Sequence, residues 1–459
     1  MNYISQLLFL LSLLAVIYFF SKRTNRIRKN IQLGKPEDRS DNPSERFKIM
    51  AMIALGQKKM FDKPLVAFMH LIIYLGFLII NIEILEIVFD GLLGTHRIFS
   101  PFLGGFYPVL IGIFEFLAVG VLVTCIIFLI RRNVLKIKRF QAYELTKWPR
   151  TDANLILITE ILLMLAFLTW NASDSVLQQR AVGHYANVNA GPFWFSQVLM
   201  PLFEGWSDTA LIVYERFAWW FHILGVFAFS VYVTYSKHLH IFLAFPNTYF
   251  SKLAPKGKFQ NMPVVTNEVK TMLGLPVETA IETAPETPQP ETSAEIGRFG
   301  AKDVNDLTWK HLMDAYSCTE CGRCTEACPA NITGKKLSPR KIMMDTRDRV
   351  EEVGRSLEKG GPGLEDGKAL IDDYISREEL LACTTCNACV QACPVNINPL
   401  DIIIELRRYM AMEDAKVPGS WGAMFSNIEN NMAPWKFSPS DRFNWADKLK
   451  ETPVNGNKQ

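Results

Sequence analysis

The chain has 459 residues, 49% of them apolar and 21% charged, and a formal net charge of +3. The apolar residues crowd into the first 245 positions in runs too long for a globular core, while the last 160 carry an ordinary density of charge. One compact soluble domain and wholesale disorder are both excluded, and so small a net charge gives no sign of nucleic-acid binding.

Five apolar stretches approach the roughly 20 residues that a spanning helix needs: about 4–20, 65–89, 107–130, 153–170 and 217–242. The first lacks a basic leader and a small-residue cleavage site, and reads as a retained span. Lys and Arg number twelve in Ser21–Lys63 and seven in Arg131–Arg150, against Arg97 alone in 90–104 and Arg180 alone in 171–207. That asymmetry predicts a membrane protein with its amino terminus outside and both basic loops and the carboxyl half in the cytoplasm. Phe47–Met60 reads either as an amphipathic surface helix or as a short solvated one.

A histidine inside a span is costly and reads first as functional. His222 and His240 are eighteen residues apart on the fifth stretch. On one continuous helix that is five turns and about 27 Å, so both would share a face across one hydrocarbon thickness. His238 would face elsewhere, and His70 lies early on the second stretch. Two haems stacked across the bilayer fit that spacing. One haem, or histidines that only satisfy interhelical hydrogen bonds, are the other readings. Glu83, Glu86, Glu115, Glu160 and Glu215 also enter the spans and are candidates for a quinone proton relay; pairing with Arg97, Arg216 or each other is the structural alternative. Cys125 reads as a packing residue.

FHILG at 221–225 and YSKHLH at 235–240 resemble the cytochrome b subunit of respiratory nitrate reductase and its relatives in heterodisulfide-reductase-like complexes. Ser236, Lys237 and His240 match the family's S-K-x-x-H string. The resemblance implies haem b, with His70 and His240 holding the inner haem and His222 helping to hold the outer one. The family's fourth ligand would fall near Ile80, where no histidine stands. His96 in GTHRIF, or His184 in the next outer loop, could replace it, and His96 is the expected choice.

Val277–Glu295 holds five Glu, four Thr and three Pro without an aromatic residue, a composition that predicts an extended tether. Beyond it, CTECGRCTEACPA supplies Cys318, Cys321, Cys324 and Cys328, and CTTCNACVQACPV supplies Cys383, Cys386, Cys389 and Cys393. Both are C-x2-C-x2-C-x3-C-P, the two-cluster ferredoxin run in which the fourth cysteine of each motif ligates the other cluster. One [4Fe–4S] is thus expected on Cys318, Cys321, Cys324 and Cys393, the second on Cys383, Cys386, Cys389 and Cys328. Structural zinc would use separated C-x2-C pairs instead. Ser338-Pro339 and Asn398-Pro399 predict a helix start after each motif, so the halves form a weak repeat on either side of a loop holding Gly360, Gly361, Gly363 and Gly367. TGKKLSPRKI resembles the α-helical ferredoxin modules of succinate dehydrogenase iron–sulfur subunits and heterodisulfide reductase C subunits, over roughly 305–410. His311 could tune a cluster but reads more simply as a surface helix residue.

The tail at 426–447 carries Trp435, Phe437, Phe443 and Trp445 and suggests a docking strip, or a segment packed on its own domain. It also resembles the segment that, in membrane oxidoreductases linking electron-transfer flavoprotein to menaquinone, joins the dicluster domain to a domain with two CCG motifs. That domain is expected on a separate subunit.

The sequence therefore predicts an all-α protein in four parts. They are a five-helix haem b membrane domain (1–250), a linker (251–298), a cytoplasmic α-helical ferredoxin domain with two [4Fe–4S] clusters (299–412) and a docking tail (413–459). The expected function is electron transfer between a cytoplasmic redox partner, the clusters, haem b and the menaquinone pool within the lipid. A quinol-oxidising subunit of a heterodisulfide or sulfur-compound reductase, and a membrane redox sensor, are the rivals. No nicotinamide or flavin fingerprint is present.

Overall fold

The computed structural model describes residues 3–188, 190–277, 298–361 and 366–450. These are helical, with no strand among them beyond two isolated bridges. The tether is outside the described residues from 278 to 297, as are 362–365 of the glycine-rich loop. Pro263–Met272 forms a helix within the stretch read as linker.

Five helices are long and apolar enough to cross a membrane. They are α1 (Tyr3–Ile31), α2 (Pro64–Leu93), α3 (Tyr107–Leu129), α4 (Trp148–Gln179) and α5 (Asp208–Val233). Helices α1, α2 and α4 outrun their apolar runs, α3 nearly matches its own, and Gly94 in the left-handed region ends α2. Proline starts α2, α3 and α4 in the first turn, where its missing N–H costs nothing. Small residues let the helices approach: a Cβ at Gly76 would sit 2.6 Å from Val121 of α3, and one at Gly225 2.6 Å from Leu163 of α4.

The fifth stretch differs from the expectation of one helix to Phe242. Helix α5 ends at Val233, and a new helix, α6 (His240–Tyr249), begins after a turn. Asp152 of α4 holds the break, accepting from the Tyr232 hydroxyl at 2.5 Å and from the Lys237 N–H at 3.2 Å. The Ser236 hydroxyl accepts from the His238 N–H. Five uninterrupted turns therefore do not connect His222 to His240.

The remaining core is the iron–sulfur domain, built on α7 (Trp309–Ser317), α8 (Pro339–Gly360) and α9 (Pro399–Arg408). The expected caps are present: Ser338 accepts from the Lys341 N–H, and Asn398 from those of Leu400 and Asp401. The end of α1 is a strut in this domain. Ile27 and Asn30 are buried there, Asn30 donates to the Tyr316 hydroxyl at 2.8 Å, and a Cβ on Gly354 would collide with Asn30. Both basic loops also meet this domain, through Arg23–Glu351 (2.6 Å), Lys63–Glu326 (2.5 Å) and the buried Glu144–Arg340 pair (2.7 Å). Lysines and arginines counted as a topology signal are thus partly spent on holding the two halves together. The tail folds into helices Gly419–Asn431 and Asn444–Lys450, with Trp435, Phe437, Phe443 and Trp445 all exposed.

Candidate functional site

The two cysteine loops repeat each other in backbone as well as sequence. Glu320 (φ 54°) and Gly322 (φ 74°) are left-handed in the first; Thr385 (φ 54°) and Asn387 (φ 61°) occupy the same places in the second. These reversals curl each loop at matching positions. Gly322 is also forced by contact, since a Cβ there would lie 2.4 Å from Nη1 of Arg340.

The fourth cysteines cross over. Cys324 feels the charge of Cys393, and Cys393 that of Cys321; Cys383 and Cys389 both feel Cys328. Cys318, Cys321, Cys324 and Cys393 line one cavity. The Sγ of Cys393 accepts from the Ile397 N–H at 3.3 Å, and that of Cys383 from the Thr385 N–H at 3.4 Å. Burial pushes the Cys318 and Cys389 thiols up to about 12 and Cys393 to about 11. Bare thiolates are disfavoured there, and iron among them would supply the compensating charge. The donor set fits [4Fe–4S] clusters: all sulfur, crossed, with N–H groups aimed at sulfur. Among the described residues, no group of three or more His, Cys, Asp or Glu is drawn up around a single ion. A four-iron cube spreads its sulfurs wider than one ion's shell does.

Three histidines gather where α2 enters the bundle. The ring centroids of His70 and His240 are 6.5 Å apart, and those of His238 and His240 5.4 Å. His238, expected to face away, is brought in by the break before α6. The Nδ1 atoms of His70, His222 and His240 each face an oxygen: Gln57 Oε1 at 3.1 Å, the Leu163 carbonyl at 3.0 Å and the Lys237 carbonyl at 3.1 Å. A proton donated there leaves the Nε2 lone pair free, the tautomer a metal ligand needs. Iron held between two imidazoles by bonds of about 2 Å sets the ring centroids roughly 6 Å apart. The His70–His240 pair fits that requirement.

His222 is buried against Phe167 and Trp170, and no histidine ring contacts it among the described residues. His96 instead packs on His184 (5.2 Å) and Tyr185 (5.0 Å), with Nε2 3.4 Å from Asp174. Trp170 contacts both His222 and the Arg97 guanidinium.

Most of the span carboxylates prove to be anchors. Glu86 accepts from the Phe99 N–H and the Tyr107 hydroxyl, each at 2.8 Å. Glu115 accepts from Asn171 and from the Phe195 N–H, and Glu215 from Trp170 and Tyr185. Arg97, buried with Asp174 at 2.7 Å and Asn171 at 2.8 Å, ties this end of the bundle together. Glu83 is different. It is buried, neither oxygen has a hydrogen-bond partner among the described residues, and its nearest cation there is Arg97 at 3.9 Å. Glu160 stands apart on α4, half-buried and within electrostatic reach of the buried Cys125.

Between histidines and cysteines lies a joint that sequence reasoning missed. Lys237, from the S-K-x-x-H string, pairs with Glu320 inside the first cysteine loop. Arg323, beside Cys324, donates to the Lys59 carbonyl at 3.1 Å and lies within electrostatic reach of His70, and Lys59 itself donates to the Cys393 carbonyl at 3.1 Å. Glutamate in C-T-E-C and lysine in S-K-x-x-H were the available signals, but nothing in one dimension pairs them.

Residues 317–397 match the 4Fe-4S dicluster domain. Over 98% of its length the chain is 27% identical to a probable iron-sulfur-binding oxidoreductase, FadF, of Bacillus subtilis, and covers 61% of that protein. It is 26% identical over 89% of its length to the EtfAB:quinone oxidoreductase of Syntrophomonas wolfei, covering 55% of it. A shorter stretch, 31% of the chain, is 27% identical to part of one subunit of the dihydromethanophenazine:CoB–CoM heterodisulfide reductase of Methanosarcina acetivorans, 35% of which is covered. The chain thus spans less than two thirds of the relatives it matches along most of its length. No solved structure matches.

Proposed function

We propose that this chain is the membrane electron-transfer subunit of a quinone-linked oxidoreductase. It would join a cytoplasmic redox partner to the menaquinone pool of a bacterial inner membrane, with the iron–sulfur domain in the cytoplasm and the amino terminus outside. One observation carries the reading: the Lys237–Glu320 pair fastens the segment bearing His240 to the loop bearing Cys318, Cys321 and Cys324. Two one-electron carriers held that way form a path rather than two separate sites.

In this reading His70 and His240 hold a haem b, and the crossed cysteines hold two [4Fe–4S] clusters. These cofactors supply reversible one-electron chemistry; the chain supplies position, burial and ligands. The cysteine set of Cys318, Cys321, Cys324 and Cys393 faces the membrane through Lys59, Arg323 and Lys237. The other set carries the exposed Cys386 and faces the partner. His222 would help to hold a second haem further along the bundle. His96 would complete it only by leaving Asp174 and His184. Quinone chemistry couples each electron to a proton, and Glu83, whose oxygens have no hydrogen-bond partner among the described residues, is the proposed carrier; Glu86 and Glu115 position the loops around it. The exposed aromatic tail is the proposed dock for a CCG-type subunit and, through it, electron-transfer flavoprotein.

The similarity to part of a heterodisulfide reductase favours a second reading, with the same path oxidising quinol. Reduced-minus-oxidised spectra of the purified protein, with haem and iron quantified, test the proposal. Two haems to eight non-haem irons support the full path, one haem supports the His70–His240 site alone, and no haem overturns the reading. Cluster and haem potentials then separate the two directions.

A further inference from the structure

Where α6, α7 and the second cysteine loop meet, a cavity of about 80 Å³ is lined by Arg39, Lys59, Lys252, Lys256, Lys310 and His311, with Asp314 and Asp401 as its acids. A volume of that order holds a few waters or one tetrahedral oxyanion. His311 was expected on the surface but is buried. Its tautomer follows from its neighbours. The Thr308 hydroxyl donates to Glu37 at 2.9 Å, and the Thr308 N–H faces His311 Nδ1 at 3.3 Å. Nδ1 is therefore the acceptor, and Nε2 carries the hydrogen. That Nε2 is buried without a partner among the described residues. A buried N–H left unpaired costs on the order of 1–3 kcal/mol unless something accepts from it.

The charges around the cavity point the same way. Asp314 is taken by Lys310 at 2.5 Å, and Asp401 faces Lys252 at 3.9 Å. Lys59 gives one hydrogen to the Cys393 carbonyl, and an ammonium has three. Lys256 makes no ion pair among the described residues. The cavity thus presents surplus cations and an orphan donor. Lys59 lies just before α2 enters the membrane, and Lys252 and Lys256 just after α6.

We propose that this cavity binds a phosphate group at the junction of the membrane and iron–sulfur domains. The His311 Nε2–H donates to it, and Lys59 and Lys256 neutralise it. The group comes either from an anionic phospholipid whose headgroup reaches in from the bilayer or from free phosphate. Its occupant pins α6, α7 and the second cysteine loop together, and this holds whether or not the quinone reading does.

The test uses the full-length protein in phosphatidylcholine nanodiscs in phosphate-free buffer, with radiolabelled inorganic phosphate as probe and native mass spectrometry for retained phosphatidylglycerol. The expected result is one phosphate-class anion per chain. Binding should weaken about tenfold or more in Lys256→Glu and in His311→Phe, and should not change in Lys436→Glu on the tail. Lys256 is exposed, so its replacement leaves the fold intact even if the His311 variant does not assemble. Displacement of the label by phosphatidylglycerol assigns the site to lipid; failure to displace assigns it to free phosphate. Absence of both probes from the wild-type protein, or equal binding by Lys256→Glu and Lys436→Glu, overturns the site.

Discussion

The ammonium of Lys237 is ion-paired with the carboxylate of Glu320, and through that contact the turn leading to His240 is held against the loop between Cys318 and Cys321. Both side chains are largely withdrawn from water, at 10% and 3% exposure. Arg347 shares Glu320 at 2.9 Å, and Asp152 lies 3.8 Å from Lys237. Lys237→Ala should therefore leave Glu320 partly compensated and cost about 2 kcal/mol, less than a fully orphaned buried charge. The more telling effect is on electron flow. Stopped-flow reduction of haem through the clusters should slow by roughly tenfold or more as the two carriers drift apart, with haem and iron contents unchanged. An unaltered rate would mean that the pair only stabilises the fold.

The histidines divide by what they face. His70→Ala removes half of the His70–His240 pair, so it should abolish one haem signal and leave the non-haem iron content intact. His96→Ala distinguishes ligand from structural partner. If His96 leaves Asp174 to bind iron, the second haem is lost; if it stays with His184 and Tyr185, both haem signals survive.

Crossing of the cysteines has an asymmetric consequence. Cys393→Ser, although it lies in the second motif, should perturb the cluster of Cys318, Cys321 and Cys324, and Cys328→Ser should perturb the other. Electron paramagnetic resonance of each variant reads which cluster converts or disappears. Damage confined to the cluster of the mutated motif would contradict the crossing.

Glu83 and Glu86 lie one helical turn apart, yet they should behave oppositely. Glu86→Gln loses an acceptor for the Phe99 N–H and the Tyr107 hydroxyl, and should destabilise the loops at that end by about 1–3 kcal/mol. Glu83→Gln breaks no hydrogen bond, so stability and haem spectra should hold while the reaction with a menaquinone analogue slows about a hundredfold, within the range of one lost acid–base group. Thermal denaturation and quinone-driven reoxidation measure the two effects.

Local chemistry was written plainly in the chain. Two C-x2-C-x2-C-x3-C-P runs, two capped helix starts and five apolar stretches are patterns of neighbouring residues, and a neighbour's identity decides a cap, a loop turn or a partition into lipid. Two distant relations, the crossed cysteines and the His70–His240 pair, could be expected from motifs; the pairings that no motif announces lay beyond reach. Asp152 of α4 breaks the fifth stretch into α5 and α6 and so brings His238 and His240 together; Glu86 and Glu115, read as relay candidates or ion-pair partners, are instead occupied by loop N–H groups; Lys237 finds Glu320. Such pairings are settled only when helices pack, because the cost of burying a charge or an unpaired N–H depends on which distant group arrives to meet it.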